Sequence, residues 1–203
     1  MSELFMRAFA FNQPLNDWNT EMVTSMVSMF EDAEAFNQDL DNWDVRNVED
    51  MSSMFQEAEN FNGALNAWTP ESVTNMQSMF EDAQDFNQPI NGWDTGSVVN
   101  MSEMFRDAEN FNRDLDNWDV SMVEDMSDMF RGASAFNGDI TDWNTEKVTD
   151  ISGMFLNAVN FNQDLSEKMV NIGAPDEYRA WVLSSVTDMN SVFFNAEDFD
   201  RDI

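Results

Sequence analysis

The chain has 203 residues, with 40 acids against nine lysines and arginines, a net charge of −31, and neither histidine nor cysteine. That balance argues against nucleic acid, whose phosphates need clustered cations, and against anionic membrane surfaces. It also removes the imidazole base, the thiol nucleophile, the disulfide and the thiolate metal site.

Hydrophobic residues make up 42 % of the chain and fall in strict register, which sets it apart from disordered acidic tracts. An acidic shell of this kind suits solubility, cation attraction or basic partners, and carries no information about fold. No apolar run reaches transmembrane length, and the first residues show no signal-peptide pattern.

The chain opens inside a repeat, since Met1-Ser2-Glu3-Leu4-Phe5 aligns on Met101-Ser102-Glu103-Met104-Phe105. The repeat has a period of 25 residues, marked by Met29-Phe30, Met54-Phe55, Met79-Phe80, Met104-Phe105, Met129-Phe130 and Met154-Phe155. Leu4-Phe5 precedes this series and Val192-Phe193 closes it after an insertion of 13 residues. Self-similarity at such a period signals a stack of coils. Phe5, Phe11 and Trp18 each head a column that recurs along the chain, and all seven tryptophans fall in one column. Neither end shows the polar capping unit that such stacks need for solubility. Two readings stay open: a piece of a longer protein, or ends covered by neighbours.

Within a unit the apolar spacing is three and four, as in Val48, Met51, Met54, Phe55, Ala58 and Phe61. It predicts an amphipathic helix of about two turns over Ser52 to Glu59. The column of Asp50, Asn75, Asn100, Asp125, Asp150 and Asp188 supplies residue types expected at its N-cap. Val73–Met76, Val148–Ile151 and Phe36–Leu40 are expected as short extended pieces. Pro14 and Pro89 stand in the column of Asp39 and Ala64, where proline has no N–H to give a neighbouring coil. The Trp-Asp and Trp-Asn pairs, such as Trp43-Asp44 and Trp143-Asn144, predict Asx turns.

The run from Trp43 to Leu65 (Trp-Asp-Val, then Asp-Met-Ser-x-Met-Phe, then Phe-Asn), and again from Trp118 to Ile140, resembles the repeat of BspA-like leucine-rich-repeat surface proteins. The resemblance spans nearly the whole chain. It implies a right-handed solenoid without known catalysis, with adhesive or protein-binding roles at a cell surface. The expected fold is thus an α/β repeat: a right-handed leucine-rich-repeat-like solenoid of eight 25-residue coils, each with short strands and a short helix, forming one domain over residues 1–203.

Among polar columns, Asn12, Asn37, Asn62, Asn87, Asn112, Asn137 and Asn162, closed by Asp200, read as a structural ladder. Asp39, Asp41 and Asp44, and likewise Asp114, Asp116 and Asp119, crowd oxygen ligands as calcium requires, though without the spacing of an EF-hand; solvated turns are the competing reading. An enzyme is not expected, because acid pairs are so numerous that none stands out as a dyad.

Departures from the repeat carry the functional expectation. Outward positions that are polar in the middle units become Met6 and Phe9 in the first, and Leu156, Val159 and Phe194 in the last two. Grouped apolar residues on a charged face mark interaction sites; packing over an open end or onto the insertion is the other reading. The insertion, Ser166 to Ala180, carries Met169, Ile172 and Tyr178, the only tyrosine. Asp176 to Leu183 is expected as a short helix, and the loop as either a binding element or a spacer. The function expected is a non-catalytic protein-binding or scaffold module within a larger assembly. A calcium-dependent surface adhesin is the alternative.

Overall fold

Two backbone positions in every coil, four residues apart, have positive φ, and these positions decide the architecture. In the coil around Met54-Phe55 they are Ser53 at 55° and Glu57 at 57°. The computed structural model, which describes residues 1–175, 177–201 and 203, repeats the pattern from Glu3 and Arg7 to Ser191 and Asn195. An α-helix keeps φ negative throughout, so no helix forms among the described residues.

Tandem β-turns take its place. Met54 N–H donates to Met51 O at 3.2 Å, Gln56 to Ser53 at 3.2 Å and Ala58 to Phe55 at 3.1 Å, all over three residues. Positive φ at Ser53 and Glu57, each third in its turn after a residue of negative φ, is the sign pattern of type II turns. Apolar residues at spacings of three and four face inward along this tandem turn just as they would along a helix. The expected helix over Ser52 to Glu59 is therefore corrected to a turn run, and with it the helix-containing leucine-rich-repeat-like solenoid.

The remaining N–H groups reach the next coil. Met51, Ser53, Phe55 and Glu57 donate to the carbonyls of Asn75, Gln77, Met79 and Glu81 at 2.8–3.0 Å. The ladder recurs from Glu3 to Asn157, and a second line of bonds points back, as from Thr74 N–H to Glu49 O at 2.9 Å. Parallel bridges join Ser25, Asp50, Asn75, Asn100, Asp125, Asp150 and Asp188 in succession, one residue per coil. The extended pieces expected at Val73–Met76, Val148–Ile151 and Phe36–Leu40 reduce to these single bridges and to irregular chain. The residues expected as N-caps open the turn run instead: Asp50 Oδ1 accepts Ser52 N–H at 2.9 Å, an Asx turn.

Side chains lock the coils in register. Phe30, Phe55, Phe80, Phe105, Phe130 and Phe155 stack at centroid spacings of 5.5–5.8 Å, and the neighbouring column from Phe36 to Phe161 stacks at 5.8–6.0 Å. Each tryptophan from Trp43 onward sends its indole N–H to a carbonyl of the preceding coil, Trp68 to Leu40 O at 2.8 Å for example. The asparagine ladder is present: Asn37 Oδ1 accepts Asn62 N–H at 2.9 Å, and the link continues coil by coil to Asp200. Buried Thr20, Thr95 and Thr145 give their hydroxyl protons to carbonyls of the next coil. The proline column has a matching logic. Asp39 Oδ1 accepts Ala64 N–H at 2.9 Å and Asp114 Oδ1 accepts Asp139 N–H at 3.0 Å, whereas Pro89 follows Ala64, which has no acceptor to offer.

Among the described residues, regular strands occur once. The insertion folds as an antiparallel hairpin of β1 (Lys168–Val170) and β2 (Tyr178–Ala180), pairing Lys168 with Ala180 and Val170 with Tyr178. The short helix expected over Asp176 to Leu183 is corrected accordingly; Asp176 itself lies outside the described residues.

Candidate interaction site

The hairpin enters between Leu165 and Trp181, the place held by Thr141-Asp142 one coil earlier, so it must lie beside that edge. Val170 and Tyr178 pack against the core, and polar contacts to Asp142 help hold it there. The Tyr178 hydroxyl donates to Asp142 O at 2.6 Å, and Lys168 Nζ pairs with Asp142 Oδ1 at 2.7 Å. Arg179 pairs with Glu167 at the hairpin's base. Ala180 and Trp181 return to the core, where Trp181 stacks on Trp143 at 6.2 Å.

An open cleft of about 570 Å³ results between the hairpin and the edges of the two preceding coils. Asp116, Asp119, Asp142 and Glu177 supply carboxylates to its wall, and Val170 and Tyr178 supply half-buried apolar surface. Reasoning from columns pointed to the loop itself. The signal for its partner surface was present too, since Asp116 and Thr141 share a column with the point of insertion.

The apolar departures lie where large hydrophobic side chains are exposed. Phe194 is 67 % exposed and Ile172 79 %, while Met6, Phe9 and Met169 are exposed and Leu156 and Val159 half-buried. Leu156 and Phe194 occupy one column in successive coils, joined through the bond from Asn157 N–H to Phe194 O at 2.9 Å. Of the exposed large hydrophobics among the described residues, only Met122 lies between Met22 and Met169. The regular coils thus keep their outer face polar.

The six aspartates considered for calcium each accept at least one hydrogen bond that shapes a turn or joins two coils. Asp44 and Asp119 hold Asx turns to Arg46 and Ser121, Asp39 and Asp114 cap the next coil, Asp41 accepts Ala67 N–H, and Asp116 accepts from Asn91. Among the described residues, no group of three or more acidic, His or Cys side chains is placed to hold a metal ion. Arg46 beside Asp44 brings that carboxyl down to about 2. Elsewhere carboxylates stack on carboxylates: burial, reinforced by Asp32, raises Glu57, and burial likewise raises Glu81 and Asp82. Arg106 bridges Glu81 at 3.3 Å and Glu103 at 2.6 Å, relieving the column at one point. No described helix is long and apolar enough to cross a membrane.

These features define a class: a helix-free tandem repeat in which each turn run is bonded to the next coil. Residues 1–93, 64–168 and 171–203 match the family described as "Mycoplasma protein of unknown function, DUF285", and the chain belongs to that family. No curated protein sequence matches it.

Proposed function

We propose that the chain is a non-catalytic protein-binding or scaffold module whose contacts are made by its departures from the repeat. The observation that carries this reading is the apolar pair of Leu156 and Phe194, adjacent in successive coils on a chain whose surface is otherwise acidic, with Met169 and Ile172 exposed on the hairpin. Interfaces draw their energy from a few such anchors rather than from total area. The resemblance of the repeat to BspA-like surface proteins points the same way, toward contact with other proteins. A stack of this kind offers an extended, rigid surface and places insertions on one face.

The test is a Leu156→Glu and Phe194→Glu double variant. It is expected to release a partner captured from the native source while leaving thermal unfolding within about 2–4 °C, the shift of ~1 kcal/mol in a chain of this size. A complex that survives the double change would remove the interface claim.

A further inference from the structure

We propose that the cleft beneath the hairpin receives a lysine or arginine side chain from a basic segment of a partner protein. The proposal rests on the protein-binding reading above and names the partner's chemistry. The cleft has two kinds of wall, and the combination selects the ligand. Val170 and the Tyr178 ring form an apolar side, set on β1 and β2 and fixed by the Tyr178 bond to Asp142 O at 2.6 Å. Asp116, Asp119, Asp142 and Glu177 form the acidic side.

Each carboxylate is oriented through one oxygen. Asp116 Oδ1 accepts from Asn91 Nδ2 at 2.8 Å, Asp119 Oδ1 from Ser121 N–H at 2.9 Å, and Glu177 Oε2 from Gly173 N–H at 2.6 Å; Asp142 Oδ1 meets Lys168. The second oxygen of each takes no hydrogen bond from the described residues. A side chain that fits both walls has an aliphatic stem and a cationic head, which is the build of lysine and arginine. A volume of about 570 Å³ falls within the range of ligand-binding clefts. Among the described residues four carboxylates line the cleft, one of them paired with Lys168, and the chain as a whole stands at −31, so a basic partner is also steered toward this surface. Small apolar ligands fail the acidic wall. Nucleic acid fails on charge.

The probe is a fluorescent Gly-Ser peptide carrying two arginines, titrated at physiological salt, with a citrulline version as the neutral control. The arginine peptide binds and the citrulline peptide does not. The variant Asp116→Asn with Glu177→Gln weakens binding about tenfold, whereas Glu59→Gln with Glu109→Gln, which removes the same charge from outside the cleft, changes it less than about twofold. Equal weakening by both pairs, or binding of the citrulline peptide, overturns the cleft. Absence of arginine-peptide binding overturns it as well. The Leu156→Glu and Phe194→Glu variant keeps full peptide affinity, so loss of the cleft and loss of the apolar interface are told apart.

Discussion

The middle coils and the last stretch of the chain solve the same packing problem under different conditions. From coil to coil in the middle, every column finds its copy on both sides: Phe105 stacks on Phe80 and on Phe130, each at 5.6 Å, and is fully buried. Phe193 has the same neighbours on one side only, Phe155 at 5.6 Å, and is partly exposed. The hairpin has no copy at all, and holds its place by contacts to Asp142, by Val170 and Tyr178 packed against the core, and by a strand pair of three residues. Where the repeat is complete, side chains are consumed by architecture. Where it breaks, apolar and acidic groups are left facing solvent, and binding has material to work with.

The strongest test of that contrast removes one ring from each region. Phe105→Ala should cost ~3–5 kcal/mol, the range for an aromatic deleted from a packed core, while Phe193→Ala should cost less than half as much; chemical denaturation of the two variants measures both. Equal costs would mean that the two-sided stack is not what stabilises the middle.

Glycines sharpen it next. A Cβ at Gly138 would sit 2.0 Å from Arg113 O, backbone of the preceding coil, so Gly138→Ala should cost ~1–3 kcal/mol through overpacking. Gly173, in the hairpin loop, has φ of 84° but nothing within 4 Å of a built Cβ. Gly173→Ala should cost only the left-handed strain, ~1 kcal/mol.

The smallest expected effect is on pH dependence. Glu57, Glu81 and Asp82, all in the stacked middle, are raised by burial. A raised carboxyl binds its proton more tightly folded than unfolded, so its stabilisation is full below the unfolded value and is lost as pH rises through the folded one. The exposed Asp44 runs the other way, its contribution present above the ordinary 3.8 and lost as pH falls through about 2. Thermal unfolding should therefore move up as pH falls from neutral into the carboxylate range. Glu81→Gln should flatten that rise.

Much of this was legible in the residues, and the misses have a physical cause. Columns at a fixed period identify the core rings, the asparagine ladder and the Trp-Asp turns, because every copy faces the same neighbour. Local structure inside the unit was not legible from spacing. Met51, Met54, Phe55 and Ala58 at intervals of three and four fit a helix and a run of β-turns equally well, since both bring the fourth residue back to one face. A partial signal lay in the polar columns: Asp128 and Gly153 share one position, and Asp32, Asp82, Gly132 and Asn157 the other, residue types that accept positive φ, while Ser53 and Glu57 at the same positions give no such sign. At the cleft, the insertion and its acidic neighbours were both visible in the columns. Their enclosure was not, because it depends on the hairpin folding back onto Asp142.

The central structural claim is that coils are held to one another and not each by a helix of its own. Scalar couplings transmitted through hydrogen bonds report donor and acceptor directly. The account predicts a coupling from Phe80 N to Met104 C′, across the 2.9 Å bond between coils. A coupling from Phe80 N to Met76 C′, four residues back in the same coil, would place a helix there and contradict it.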